Sequence, residues 1–285
     1  MRWIPGGRSR NLEDRRGASP GGFGGGGGAK MGIGGVLLLA VLSMVFGRDL
    51  VTEYAGGSPA AGVAPAAGGS ADGAIVDPNE ENTVLFVSTV LDSAQATWHR
   101  LIPQYSDAKL VLFRNAINSA CGFAQAASGP FYCPGDRKVY IDLAFFDQLK
   151  SQFAAPGDFA QAYVLAHEIG HHVQNLVGTE RKLREAQGQN PGDVNALSVA
   201  MELQADCYAG VWAFSAAKAG TLEAGDLDEG LAAASAVGDD RLQKASTGRV
   251  NPESFTHGSS ADRRAWFKRG FDSGDPNQCD TFARR

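Results

Sequence analysis

Residues 163–177 read Tyr163-Val164-Leu165-Ala166-His167-Glu168-Ile169-Gly170-His171-His172-Val173-Gln174-Asn175-Leu176-Val177. Apolar residues recur here at spacings of three and four, which predicts an amphipathic helix with one face in a core. On such a helix His167 and His171 stand one turn apart on the same face. The stretch therefore predicts a helix that presents two imidazoles side by side, with the carboxylate of Glu168 beside them.

The spacing of these three residues suits a metal centre. Two imidazoles four residues apart can each give one nitrogen to a Zn²⁺ ion at about 2.0–2.1 Å. Glu168 is then placed to reach a water in the open coordination position without being a ligand itself. The H-E-x-x-H pattern is typical of zinc metalloproteases, in which this glutamate is the general base. The alternative is an ordinary helix with two chance histidines, because a five-residue pattern also occurs in unrelated chains.

A catalytic zinc site needs a third protein ligand besides water. Residues 194–217 are predicted to form a second, alanine-rich helix, on which Glu202 and Asp206 share one face. Buried carboxylates need partners, and a metal and a ligand imidazole would provide them. We predict that Glu202 binds zinc and that Asp206 accepts the outer N–H of a ligand histidine. The alternative is that both are ordinary exposed carboxylates.

Attack on a peptide carbonyl also benefits from a donor aimed at the oxyanion that develops. His257, in a polar turn, is our candidate, although a histidine in such a turn is commonly a capping or surface residue. Two tyrosines offer the same kind of donor: Tyr140 and Tyr208. His172 is five residues from His167 and is predicted to point away from the ligand face.

Three phrases of the sequence, together with Phe255-Thr256-His257-Gly258, resemble one bacterial family. The phrases are Cys133-Pro134-Gly135-Asp136-Arg137-Lys138-Val139-Tyr140-Ile141-Asp142, Ala166-His167-Glu168-Ile169-Gly170-His171-His172-Val173-Gln174 and Glu202-Leu203-Gln204-Ala205-Asp206-Cys207. From about Asn82 to the C-terminus the chain is similar to the bacterial putative neutral zinc metallopeptidases of the YpfJ type, which are gluzincin-like zincins. The resemblance implies a zinc-dependent peptidase, with His167, Glu168 and His171 as its motif and Glu202 at the third-ligand position.

We expect these residues to lie in a helix-rich α+β domain with a small sheet. Residues 83–101 are predicted to form its first helix, and residues 109–113 and 138–142 two strands. Zincin sites usually place an edge strand beside the metal, where it holds an extended peptide by main-chain hydrogen bonds. Residues 138–142 are our candidate for that edge strand, and ordinary strands with no substrate role are the alternative.

Three segments of distinct composition precede this domain. Residues 1–30 are rich in arginine and glycine and are predicted to be disordered and cytoplasmic. Residues 31–47 carry no charge and are just long enough for a transmembrane helix. Residues 48–81 are rich in alanine, glycine and proline, which predicts a flexible linker to a catalytic domain of residues 82–285. Positive-inside asymmetry places the N-terminus in the cytoplasm and the domain outside the inner membrane, with a cleaved signal peptide as the alternative.

Four cysteines follow the predicted span: Cys121, Cys133, Cys207 and Cys279. In an oxidising compartment they would form two disulfides, for which three connectivities exist. One of the three joins Cys121 to Cys133 across a flexible loop and ties Cys279, in the C-terminal tail, to Cys207 on the helix of Glu202. Buried free thiols are the alternative. A cysteine–zinc site is disfavoured because the sequence has no C-x-x-C pair.

The chain carries a net charge of −5, and its dense positive run is confined to the N-terminus. No basic surface typical of nucleic-acid binding is predicted. We expect a membrane-anchored, extracytoplasmic zinc endopeptidase that cleaves peptide or protein substrates by a zinc-bound water, with Glu168 as general base. A non-catalytic, zinc-bearing scaffold of the bacterial envelope is the alternative from another class. Zinc-dependent hydrolysis of a non-peptide amide, such as a cell-wall bond, is a third.

Overall fold

Eight α-helices and six β-strands form within the residues that our computed structural model describes, which are 1–17, 78–126, 129–151 and 157–282. The strands are β1 Leu12–Asp14, β2 Lys109–Phe113, β3 Ala116–Ser119, β4 Gly122–Gln125, β5 Phe131–Cys133 and β6 Lys138–Asp142. The helices are α1 Pro78–Leu101, α2 Ala144–Ser151, α3 Asp158–Leu176, α4 Thr179–Gln189, α5 Val194–Lys218, α6 Asp226–Ala236, α7 Asp239–Thr247 and α8 Ser260–Ser273. The class is the helix-rich α+β that the sequence predicts.

The larger of the two sheets has the strand order β1-β2-β6-β5. Strands β1 and β6 run parallel to β2, whereas β5 runs antiparallel to β6. The two central strands are buried apart from their first residues, and their middle residues are apolar, as expected for strands covered on both faces. Strands β3 and β4 form a separate two-stranded antiparallel sheet.

The prediction that residues 138–142 form an edge strand is wrong. These residues form a strand, but β6 is hydrogen-bonded to β2 on one side and to β5 on the other. Its main chain is therefore not available to pair with an extended peptide. The outer strands of this sheet are β1 and β5, and β5 packs beside α3 through a hydrogen bond from Asn175 Nδ2 to Tyr132 Oη (2.9 Å).

Helices α3, α5 and α8 pack with their backbones in contact, because glycines stand where they meet. A Cβ added at Gly170 of α3 would lie 3.0 Å from the carbonyl oxygen of Ala205 on α5. A Cβ added at Gly270 of α8 would lie only 1.9 Å from the carbonyl oxygen of Cys207, also on α5. Close approach of this kind needs residues without a side chain. It brings the polar residues of all three helices within hydrogen-bonding reach of one another.

Residues 1–17 belong to the folded domain, so the prediction that they are disordered is wrong. Strand β1 pairs with β2, and the Leu110 amide donates to the Asn11 carbonyl (2.8 Å). The ring of Trp3 packs edge-on against that of Phe86 in α1 (5.4 Å between centroids). The basic composition misled the prediction, because acidic residues elsewhere in the fold pair with these arginines.

We call the ion pairs that join the N-terminal strand to the start of α1 the N-terminal clasp. Arg8 Nε lies 2.9 Å from Glu81 Oε1, and Arg16 Nη1 lies 3.0 Å from Glu80 Oε2. Both arginines also contact Asp14. The clasp brings the chain at residue 16 next to the chain at residue 80.

The predicted transmembrane helix, residues 31–47, lies outside the described residues, as do residues 18–30 and residues 48–77 of the predicted linker. The last four residues of that linker are not linker, because α1 begins at Pro78 and not at residue 83. Within the described ranges, no helix combines the length and the apolarity that crossing a membrane requires.

Two disulfides are present, in one of the three connectivities that the sequence allows. Cys121 is joined to Cys133 at the end of β5, and Cys207 of α5 is joined to Cys279. The second bridge fastens the 3₁₀ turn Pro276–Cys279 to the helix that carries Glu202. Both therefore brace elements that contact α3 or α5.

Candidate metal centre

Helices α3 and α5 bring His167, His171 and Glu202 together. His167 Nε2 lies 3.3 Å from Glu202 Oε2, and His171 Nε2 lies 3.6 Å from Glu202 Oε1. One ligand atom from each residue lies within 4.8 Å of the other two. The helical spacing of the histidines and the backbone contact at Gly170 together produce this convergence.

The two imidazoles and the carboxylate group fit a zinc ion. Tetrahedral ligands at about 2.05 Å from zinc stand about 3.3 Å from one another. His167 Nε2 lies 3.3 Å from one carboxylate oxygen of Glu202, and His171 Nε2 lies 3.6 Å from the other. Two imidazole nitrogens and one carboxylate oxygen also form a ligand set that catalytic zinc commonly takes. The residues present therefore match both the size and the chemistry of the ion that the sequence predicts.

Hydrogen bonds on the far side of each ring orient the two histidines. Asp206 Oδ1 accepts from His167 Nδ1 at 2.8 Å, and Gln174 Oε1 accepts from His171 Nδ1 at 2.8 Å. The Gln174 amide is itself fixed, because its nitrogen donates to the Met201 carbonyl (2.7 Å). With a metal bound, both imidazoles would therefore keep a proton on Nδ1 and offer the lone pair of Nε2 on the side of Glu202.

The electrostatics favour an anionic pair of carboxylates next to the imidazoles. Burial opposes ionisation of Glu202, but the neighbouring His171 and His167 hold its pKa well below the ordinary range. Burial likewise opposes ionisation of Asp206, whose pKa is lowered by Arg263 and His167. Burial lowers the pKa of His167, but Asp206 and Glu202 raise it more, to about 9. The site is therefore built to attract positive charge.

Glu168 follows His167 on α3. It is buried, with only 7 % of the residue exposed. Burial raises its pKa, against the lowering effect of the two neighbouring imidazoles of His171 and His167. Within the described parts of the chain no donor is hydrogen-bonded to it. A carboxylate that is close to the metal ligands, desolvated and not hydrogen-bonded can accept a proton.

Arg263 is the largest contribution to the site that sequence reasoning missed. Its guanidinium is buried (3 % exposed) and binds both oxygens of Asp206, Nε to Oδ2 at 2.7 Å and Nη2 to Oδ1 at 2.9 Å. Tyr163, assigned from sequence only to an apolar stripe, also donates its hydroxyl to Asp206. A signal existed, because Arg263 lies in register with the buried Phe267 and Gly270 of α8, at the i, i+4 and i+7 positions of one helix face.

His257 lies at the edge of the site on a loop that one carboxylate organises. Asp239, the first residue of α7, accepts from the amides of Thr256 and His257 (2.7 Å each) and of Gly258 (3.1 Å), and lies 3.1 Å from His257 Nδ1. Burial lowers the pKa of His257, but Asp239 and the charge of Glu202 raise it above its ordinary value. Asp239 and Glu202 thus favour the protonated form of this imidazole.

The other oxyanion candidates have structural roles. Tyr140 donates its hydroxyl to Asp136 (2.6 Å) and stacks on Phe131. Tyr208 packs edge-on against Trp98 in the core. His172 points away from the ligand face, as predicted: its Nε2 lies 2.6 Å from the Ser106 carbonyl.

A second acidic group, Asp158, Asp226 and Glu229, also has the spacing of a metal site. A cation of the chain itself is hydrogen-bonded to it. The α-amino group of Met1 lies 2.9 Å from Asp158 Oδ1 and 3.1 Å from Asp226 Oδ1. We assign this group to the docking of the N-terminal segment.

Comparison with known proteins agrees with this geometry. The family model described as "Putative neutral zinc metallopeptidase" matches residues 1–282. The chain is 48% identical over 293 residues to the Escherichia coli K12 protein called "Uncharacterized protein YpfJ", across 100% of this chain and 99% of that protein. It is 46% identical over 204 residues to "Uncharacterized protein Rv2575" of Mycobacterium tuberculosis H37Rv, across 67% of this chain and 68% of that protein. No solved structure matches it.

Proposed function

Because the chain belongs to the family of putative neutral zinc metallopeptidases, we propose that it is a zinc-dependent endopeptidase. The observation that carries this proposal is the convergence of His167, His171 and Glu202 on one point, with the unbonded carboxylate of Glu168 beside them. A zinc-bearing scaffold needs the three ligands. It does not need a buried carboxylate next to them.

His167, His171 and Glu202 would hold the ion. Zinc in such a site lowers the pKa of water and polarises a carbonyl group. Glu168 accepts the proton of the attacking water and delivers it to the nitrogen of the leaving peptide, so one carboxylate acts first as base and then as acid. Asp206 and Gln174 keep both ligand imidazoles in the tautomer that directs Nε2 towards the centre.

His257 is proposed to stabilise the oxyanion that forms on the scissile carbonyl. Asp239 and the charge of Glu202 both raise the pKa of its imidazole, which favours the protonated form. A preorganised donor beside the centre would stabilise developing negative charge without reorganisation during the reaction. The role of Asp239 is to position both the ring and the loop that carries it.

The test is the substitution Glu168→Gln, which keeps the shape of the side chain but removes its basicity. We expect the variant to retain zinc at the level of the parent and to lose turnover of a labelled peptide mixture by at least about 100-fold. Zinc content is measured by mass spectrometry of the purified protein, and turnover by the appearance of new amino termini. Glu253→Gln, at an exposed carboxylate, is the matched control.

Turnover by Glu168→Gln at the rate of the parent would contradict the role of general base. Zinc binding without any chelator-sensitive cleavage by the parent would instead favour the non-catalytic scaffold.

We propose an extracytoplasmic location for the catalytic domain. Its support is the pair of disulfides, since such bonds form and persist in oxidising compartments. A membrane anchor at residues 31–47 stays a prediction from sequence. Its predicted topology, with residues 1–17 in the cytoplasm, would require β1 to leave the sheet in which it is paired with β2.

A further inference from the structure

We propose that a basic cleft between α7 and the start of α8 binds acidic side chains of the peptide substrate. The inference rests on the proposed peptidase function and adds a substrate class to it. The cleft has a volume of about 670 Å³ and opens to solvent. Three cations line it, Arg241 and Lys244 from α7 and Arg264 from α8, with Ser260 and Val250 between them.

The described residues neutralise the charge of the cleft only in part. Arg241, Lys244 and Arg264 make no ion pair within the described ranges, whereas Arg263, next in sequence, is fully paired. The one carboxylate that lines the cleft, Asp240, accepts from Ser260 N (2.7 Å) and Ser260 Oγ (2.5 Å) through Oδ1, and its negative charge offsets only one of the three cations. Cations gathered in a concave surface focus a positive potential.

The helix end beside the cleft is already capped. Ser260 and Ala261, at the N-terminus of α8, line the cleft, but the Ser260 amide donates to Asp240 and the Asp262 amide donates to the side chain of Ser259. The positive potential therefore comes from the side chains. Three cations face one space against one carboxylate, on a chain whose net charge is −5. An anion is the ligand that this arrangement selects.

The position of the cleft connects it to the metal centre. Neighbouring residues of α7 hold both ends of one short segment: Asp239 binds the amides at 256–258, and Asp240 binds Ser260. Three residues span at most about 11 Å, so the cleft begins within that distance of His257. An extended peptide advances about 3.3 Å per residue. A cleft that begins within this distance is within reach of a substrate side chain about three to five residues from the scissile bond.

The experiment compares peptides that differ only in glutamate against glutamine, three to five residues on either side of a bond that the enzyme cleaves. In the parent we expect glutamate at one of these positions to raise kcat/KM by about tenfold, mainly through KM, and the gain to shrink at high salt. In the triple variant Arg241→Gln, Lys244→Gln, Arg264→Gln the gain should vanish while the glutamine peptide is cleaved as before. Lys182→Gln, at an exposed cation on α4, should keep the gain in kcat/KM for the glutamate peptide.

A binding measurement separates this inference from the peptidase proposal. Fluorescence anisotropy with zinc-free protein should show tighter binding of the glutamate peptide than of its glutamine twin, in the parent and not in the triple variant. Equal binding of the two peptides by the parent, or a preference that survives in the triple variant, would overturn the inference. Displacement of the peptide by an oligonucleotide of the same charge would also overturn it, because the cleft would then be a general polyanion surface. Loss of cleavage with the binding preference intact would count against the peptidase proposal alone.

Discussion

At the scale of single residues, the candidate centre is organised around Arg263. With zinc present, the dication and this guanidinium would balance the carboxylates of Glu168, Glu202 and Asp206. Asp206 faces His167 on one side and Arg263 on the other, at 2.8 Å and 2.7 Å. Without the arginine, a fully buried carboxylate would have only an imidazole and a tyrosine hydroxyl to stabilise its charge.

We therefore expect Arg263→Met to lower zinc affinity by about 10- to 100-fold, the usual effect of losing a group that supports a metal ligand. The same change should destabilise the zinc-free protein by about 3–5 kcal/mol, because it leaves a buried charge unpaired. Competition with a fluorescent chelator measures the first effect and denaturant unfolding the second. Lys268→Met, at an exposed cation of α8, should change neither the zinc affinity nor the stability of the zinc-free protein. A zinc affinity in Arg263→Met equal to that of the parent would disprove the supporting role.

The sequence predicted the candidate metal ligands and one of the residues hydrogen-bonded to them, but not the others. His167, His171, Glu202 and Asp206 were accessible because helical periodicity alone puts each pair on one face. Arg263 was not assigned because its partner Asp206 lies on another helix, so the register of Arg263 with Phe267 and Gly270 indicates burial but not the partner. Gln174 was not assigned, although it stands three residues from its partner His171 on the same helix. Long-range pairing of polar side chains depends on how helices approach, which the local pattern does not encode.

At the scale of elements, glycine contacts set the distance between the three helices of the site. The backbone of α8 touches that of α5 at Gly270 and again at Gly210, where an added Cβ would lie 2.1 Å from the Phe267 carbonyl oxygen. This contact brings Arg263 within hydrogen-bonding distance of Asp206. The spacing of the helices is therefore part of the chemistry of the site.

Gly270→Ala should separate α8 from α5 and destabilise the protein by about 1–3 kcal/mol or more, as overpacking does. It should also weaken zinc binding, because Arg263 would withdraw from Asp206. Gly188→Ala in α4 is a strong control, since nothing lies within 4 Å of the added carbon and alanine favours a helix by about 1 kcal/mol. Equal thermal stability of the two variants would refute the close-contact account.

The docking of β1 gives a prediction for acid stability. Burial opposes ionisation of Glu13, but hydrogen bonds from Lys138, Lys109 and Arg15 lower its pKa from 4.5 to about 2. A carboxyl group with a depressed pKa stabilises the fold above its unfolded-state value, and that contribution is lost as the pH falls from about 4.5 towards 2.

Glu13→Gln should therefore reduce the free energy of unfolding near pH 7 by about 1 kcal/mol, a value appropriate for a partly solvated ion pair. The difference from the parent should shrink between pH 4.5 and pH 2. Chemical unfolding at several pH values measures it, with Glu185→Gln at an exposed carboxylate as the control. A difference that stays constant over this range would contradict the depressed pKa.

At the scale of the whole molecule, the two disulfides differ in exposure. Cys207 and Cys279 are fully buried, whereas Cys121 is exposed. The buried bridge also fixes the tail next to the site, because Gln204 Nε2 donates to the Cys279 carbonyl (2.9 Å) and Gln204 contacts Gln174. Gln204 thereby links the C-terminal tail to Gln174, the residue that accepts a hydrogen bond from His171.

We expect a mild reductant to open Cys121–Cys133 first, with zinc binding retained, and to reach Cys207–Cys279 only on unfolding. Mass spectrometry after alkylation measures the order in which the two disulfides are reduced. Replacing Cys207 and Cys279 by serine should cost about 4 kcal/mol in the chain-entropy model, since the bridge spans 72 residues. The opposite order of reduction would mean that the buried bridge opens by local motion.

The N-terminal clasp has a consequence for topology. Residues 1–17 and residues 78–282 share one sheet and one set of ion pairs, so both must occupy the same aqueous compartment. A chain whose two ends lie on the same side of a membrane crosses it an even number of times or not at all. While β1 stays paired with β2, the chain between residues 17 and 78 therefore cannot cross a membrane only once. A single crossing would require β1 to separate from β2.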